Sequence, residues 1–122
     1  MYQISVKQHF DAAHALRGYK GKCESVHGHR FEVVGNIQAK ELNEIGIAYD
    51  FLELKNQLKE ILDKFDHTSL NDMSIFKKIN PSSENIARII YDELKDKLAG
   101  APVTLPSVDI WESPENCVHY TA

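Results

Sequence analysis

Cysteine is scarce in this chain: only Cys23 and Cys117 are present. The two thiols could pair in principle. With nothing secretory in the sequence, both are expected to be reduced, in a cytoplasmic protein. Positive charge is also short, 14 Lys and Arg against 18 Asp and Glu, for a net charge of −4. That argues against nucleic acid as the main partner, because phosphate binding needs a basic surface. No apolar run approaches a membrane span, and the N-terminus lacks the apolar segment of a signal peptide, so no membrane partner is expected. Internal repeats and low-complexity segments are absent as well. What remains is ordinary: 43% hydrophobic and 26% charged residues in 122 positions. Such a chain is expected to form one domain, residues 1–122, with a core that needs no staples.

The stretch that organises the sequence is Cys23-Glu-Ser-Val-His27-Gly28-His29, running directly into Arg-Phe-Glu-Val-Val. Phe31, Val33, Ile37 and Ala39 fall on odd positions, and Arg30, Glu32, Asn36 and Gln38 on even ones. This is the period of a strand with one buried face, expected from about 27 to 40. Within it His27 and His29 point to the same side, and Gly28 between them leaves room for a backbone or ligand to approach. Upstream, Tyr2, Ile4 and Val6 alternate with polar residues in a first strand ending near His9-Phe10. His14 lies close to that end, in Phe10-Asp-Ala-Ala-His14.

Asp50 is a good N-cap, with Glu53 three residues on, and Phe51, Leu54, Leu58, Ile61, Leu62 and Phe65 trace a helical stripe. Residues 66–80 read as a loop. A second helix starts at Pro81-Ser-Ser-Glu-Asn85, with Ser82 as its cap and Gly100 as its stop. Two strands close the chain: Val108, Ile110 and Glu112 share one face of the first, and Cys117-Val-His-Tyr120 forms the second. The expected class is α+β, a four-stranded antiparallel sheet with two helices on one face in the order ββααββ. Its open edges would be safer inside a closed oligomer.

Three neutral histidines around one ion suit catalytic zinc and leave a coordination position for water or substrate. A structural site closed by Cys23 competes with that reading. A bound zinc polarises a hydroxyl or carbonyl and stabilises the oxyanion formed from it. Asp66-His67 offers an acid–base couple, although neighbours in a loop need not touch. A thiol near a metal or an imidazolium loses its proton more easily and can then serve as a base. Glu112 sits on the apolar side of its strand. It is either an exposed strand-end residue or a carboxylate awaiting a partner, such as the amino and amide edge of a pterin or guanine ring.

Together these residues resemble the 6-pyruvoyltetrahydropterin synthase family, and more narrowly its bacterial 6-carboxytetrahydropterin synthases of queuosine biosynthesis. The resemblance spans nearly the whole chain: Phe10-Asp-Ala-Ala-His14, Cys23 to His27-Gly-His29, Asp50-Phe51, Asp66-His67, Pro81-x-x-Glu-Asn85 and Glu112. It implies zinc held by His14, His27 and His29, with Cys23 as general base, Asp66 and His67 as relay or acid, and Glu112 as anchor of the pterin ring. The implied architecture is the tunnelling fold, whose sheets join into a barrel, in a homohexamer with active sites between subunits. The implied substrate is 7,8-dihydroneopterin triphosphate, converted to 6-carboxy-5,6,7,8-tetrahydropterin with loss of acetaldehyde and triphosphate. The alternatives are a pyruvoyl-forming synthase, or a non-catalytic zinc- or pterin-binding subunit. Ser82 and Ser113 stand where the family often has threonine, and each keeps the hydroxyl. Lys20, Lys22 and Arg30 are candidates for the triphosphate. Family variants serving folate synthesis use a glutamate near the His-x-His pair in place of the cysteine. Cys23 and Glu24 are adjacent here, so Glu24 is either a solvated loop residue or a second catalytic group that yields 6-hydroxymethyl-dihydropterin.

Overall fold

The structure, a computed structural model, describes residues 1–21 and 25–122. Strands β1 (Tyr2–His14) and β2 (His27–Ala39) pair antiparallel along their full length, from Tyr2 opposite Ala39 to His14 opposite His27. β1 therefore does not stop near His9-Phe10. Phe10, Ala12 and His14 continue the buried alternation, and β2 supplies a ladder partner at every step to His14. Strand β4 (Thr104–Ser113) lies on the other side of β2, and β5 (Asn116–Tyr120) forms a hairpin with it.

Among the described residues the sheet has five strands rather than four, with Thr68–Ser69 as β3, in the order β3-β1-β2-β4-β5. The addition, β3, runs parallel to Ala12–Ala13 at the β1 edge. Two residues carry no period for a sequence to display. The pairing arises from a local turn: His67 takes a left-handed backbone, φ 56°, and its N–H donates to Asp11 O at 2.6 Å. Residues 70–76 continue as two short 3-10 turns rather than as plain loop.

Helix α1 (Phe51–Leu62) is capped by Asp50, whose side chain accepts from Leu52 N at 2.8 Å. Helix α2 (Ser83–Lys97) is capped by Ser82, which accepts from Asn85 N at 3.2 Å. A cap of this kind is worth about 1 kcal/mol. Both helices cover one face of the sheet, and Gly35 shows why they can. A Cβ there would lie 3.2 Å from Leu94 of α2 and 3.9 Å from Leu58 of α1, so the two helices meet above a residue with no side chain. Around it Phe10, Phe31, Phe65, Leu54, Ile90 and Ile110 are fully buried, with Phe10 and Phe31 stacked at 4.8 Å. Each such side chain contributes about 1.5–3 kcal/mol by leaving water. Phe51, expected in the buried stripe, is instead 60% exposed, because α1 begins one turn before it meets the sheet and Leu54 is its first buried residue.

The opposite face of the sheet is polar. Ser5 bonds Asn36, which donates to Ser107 Oγ at 3.0 Å and to Asp109 Oδ2 at 3.1 Å. No helix among the described residues is long and apolar enough to cross a membrane.

Candidate active site

The register of β1 and β2 brings three histidines to the helix-covered face, at the end of the sheet where the two strands meet. His14 is opposite His27, and His29 is opposite Ala12, two residues before His14. Their ring centroids lie 4.6 Å (His14–His27), 4.7 Å (His27–His29) and 5.4 Å (His14–His29) apart. From the far side of β2, Glu112 of β4 brings Oε1 to 3.0 Å from His14 Nε2, 3.2 Å from His29 Nε2 and 4.0 Å from His27 Nε2. His14, His27, His29 and Glu112 thus form a group that could hold a metal ion.

The donor set fits such an ion. His14 Nδ1 donates to Pro81 O at 2.7 Å, and His27 Nδ1 donates to Ser25 O at 2.7 Å. These bonds fix the tautomer that leaves each Nε2 with a free lone pair, as outer carbonyls do around metal-binding histidines. His29 Nε2 is buried without a hydrogen-bond partner among the described residues, a costly state for a polar atom unless a cation takes its lone pair. Burial also holds the His29 pKa below the ordinary imidazole value, and the neighbouring His27 and His14 act in the same direction against the pull of Glu112. A neutral imidazole is the form that ligates metal.

Gly28 is not required for space among the described residues: of these, a Cβ there would meet only Ala12 O, at 3.9 Å. It does line a cleft of ≈ 680 Å³ that opens beside His29 and Glu112 and extends over Arg30 and Trp111. A larger hollow, ≈ 800 Å³, lies at the other end of the sheet against Ala39, Leu42 and Ile47, and none of the site residues among those described lines it. Of the triphosphate candidates, Lys20 is exposed, while Arg30 already grips Asp11 with both arms of its fork, at 3.0 and 3.2 Å. Lys22, Cys23 and Glu24 lie outside the described residues. Cys117 is an exposed free thiol, and burial pushes its pKa up.

Asp66 and His67 do touch, Nδ1 to Oδ2 at 3.0 Å. They belong to a second group with Asp11, separate from the histidine cluster. Asp66 Oδ1 accepts from Asp11 N at 2.9 Å, and that bond chiefly holds its carboxyl below the usual range, with His67 adding to the effect. The hydrogen bond from Arg30 does the same for Asp11. The His67 side chain is 79% exposed.

Sequence reasoning missed two participants. Asp11 was passed over although it sits inside Phe10-Asp-Ala-Ala-His14, and Pro81 O has no side-chain signal at all. Ser113 keeps a structural role, accepting from Glu115 N at 3.3 Å.

The profile of the family described as 6-pyruvoyl tetrahydropterin synthase matches residues 3–122. A relative from Archaeoglobus fulgidus named putative 6-carboxy-5,6,7,8-tetrahydropterin synthase is 43% identical over 94 residues, covering 77% of this chain and 76% of its own. A Pyrococcus furiosus relative named dihydroneopterin monophosphate aldolase is 35% identical over 115 residues, 93% of this chain and 91% of its own. The structure of Caenorhabditis elegans 6-pyruvoyl tetrahydropterin synthase superposes with a TM-score of 0.87 at 28% identity, covering 99% of this chain and 95% of that one.

Proposed function

The chain belongs to the 6-pyruvoyl tetrahydropterin synthase family, and on that premise we propose that it is a zinc-dependent lyase acting on 7,8-dihydroneopterin triphosphate. Its product is 6-carboxy-5,6,7,8-tetrahydropterin, with acetaldehyde and triphosphate released, in the synthesis of queuosine. The observation that carries the reading is the convergence of three imidazole Nε2 atoms, two of them oriented by backbone carbonyls, beside a carboxylate and an open cleft. The name of the Archaeoglobus relative supports the choice of product.

In this reading His14, His27 and His29 hold the zinc, which when bound supplies Lewis acidity to the substrate's side-chain hydroxyls. Glu112 receives the amino and amide N–H groups of the pterin ring. Cys23 removes a side-chain proton as thiolate, and His67, oriented by Asp66, returns one. The exposure of His67 and its separation from the histidine cluster favour a site shared between subunits of a homohexamer, where His67 serves a zinc held by a neighbour.

Mass spectrometry of the product from 7,8-dihydroneopterin triphosphate tests the reading. A 6-carboxy product is expected, and a pyruvoyl product or no turnover by zinc-loaded protein would overturn it. The Pyrococcus relative favours a second activity, cleavage to 6-hydroxymethyl-dihydropterin with Glu24 as base. Cys23→Ala should then lose the carboxy product and keep the hydroxymethyl one, and adding Glu24→Ala should remove both. A Cys23→Ala protein that makes neither while still holding zinc would leave Glu24 without a catalytic part.

A further inference from the structure

Glu112 faces two incompatible demands. As anchor of a ring it should point into the cleft with its oxygens free for N–H donors. Instead Oε1 lies among the three histidine Nε2 atoms, at 3.0, 3.2 and 4.0 Å. His14 and His27 spend their ring N–H groups on Pro81 O and Ser25 O, so as neutral rings they offer Glu112 only lone pairs. A carboxylate oxygen facing lone pairs at these distances is repelled unless a proton on Nε2 or a metal ion lies between them. The separations suit the ion. With metal–ligand bonds of about 2.0–2.2 Å, neighbouring corners of a tetrahedron lie about 3.4 Å apart, and the three observed distances straddle that value. Glu112 Oε1 stands beside the three Nε2 atoms in one group of potential metal ligands.

We infer that Glu112 is the fourth metal ligand of the resting protein and leaves the ion when the pterin ring binds. The inference rests on the metal reading above and extends it. The same carboxylate closes the coordination sphere in the empty site and opens it by exchanging the cation for two ring N–H donors. Admission to the ion then depends on ring recognition. A ligand with hydroxyls but no paired N–H donors cannot draw Glu112 away, so it meets a closed site. Geometry permits the exchange, because Glu112 lines both the metal group and the cleft beside it, and its side chain is 28% exposed.

Cobalt(II) in place of zinc reads this through its visible bands. Wild-type protein loaded with cobalt should show the intense bands of a four-coordinate ion. Bare pterin, a ring with no side-chain oxygen, should shift those bands although none of its atoms reaches the metal. Glu112→Gln should abolish the shift and lose cobalt to a competing chelator at least ~10–100-fold more readily, the loss typical even of outer-sphere partners. Equal chelator resistance in Glu112→Gln overturns the inference, and so does pterin binding, seen by fluorescence, without a spectral change. If Glu112→Gln fails to fold, Glu112→Asp replaces it. One methylene shorter, it should alter the resting spectrum while keeping the charge, and an unaltered spectrum overturns the inference. Wild-type protein that takes up no cobalt would overturn both this inference and the proposed function. Uptake that requires His27 but ignores Glu112 overturns this inference alone.

Discussion

The histidine cluster and the Asp66–His67 pair are built by opposite means. The cluster rests on two long paired strands, with His14 buried, His27 and His29 half-buried, and one Nε2 without a hydrogen-bond partner among the described residues. Asp66 and His67 rest on a turn, held by backbone bonds to Asp11 at 2.6 and 2.9 Å, with the imidazole out in solvent. The first site is positioned by strand register and gathers groups that could hold a metal ion. The second is hydrogen-bonded at its base and turned outward. Rigid strands suit groups that must converge within tenths of an ångström, whereas the proposed role of His67 at a neighbour's site would require it to project.

The largest effect should come from breaking the first site. His27→Ala should remove most of the metal, and full zinc occupancy by elemental analysis in that variant would show the ligand set to be wrong. Next comes the outward site. Cys23→Ala and His67→Ala proteins, each inactive alone, should regain part of the activity when refolded together. Demonstrated mixed oligomers without recovery would place every site within one chain. Glu112→Gln, assayed with zinc in excess, should cost roughly 2–4 kcal/mol in kcat/KM, since amidation turns an acceptor into a donor that faces a donor. An unchanged kcat/KM would put Glu112 outside the pterin pocket.

Smaller effects probe the turn itself. A β-branched residue fits a left-handed backbone poorly, so His67→Val should lose about 1–3 kcal/mol in urea unfolding, while His67→Gly should lose none of that strain energy. Acid should act through Asp66. Its carboxyl is held below the usual range in the folded chain, so the bond from Asp11 N contributes fully above the ordinary carboxylate pKa of about 3.9. That contribution fades as pH falls through the lower, folded value. Asp66→Asn should flatten the acid limb of stability against pH, and identical limbs would place the acid sensitivity elsewhere.

Much of this was legible in the residues. Alternation in Phe31, Val33 and Ile37 located β2 and put His27 and His29 on its buried side, and the parity of Ile110 and Glu112 did the same for the carboxylate. Asp50 and Ser82 marked both helix starts. The rest depended on pairing across the chain. β1 reads as ending near Phe10 because Asp11, Ala12 and Ala13 are weak strand formers, yet thirteen partners in β2 carry it to His14. Strand β3 exists through one turn and one backbone bond, neither of which has a compositional sign. The place of Glu112 in the metal group follows from the packing of β4 beside β2, which no local pattern encodes.

The bond from His14 to Pro81 O has a consequence for the life of the chain in a cell. Pro81 immediately precedes the cap of α2, so the last residue of β1 and the entry to a helix some seventy positions later share one imidazole. A cation held on the other nitrogen of that ring, as proposed above, would be a fastener between remote segments, and its binding energy would add to the folding energy by mass action. At a thousandfold excess over its dissociation constant, a ligand confined to the folded state contributes about 4.1 kcal/mol. That is a large part of the 5–15 kcal/mol that holds a typical domain together. Supply of the ion would then set not only how many sites are loaded but how many chains survive proteolysis, and abundance would fall with metal starvation before any change in synthesis.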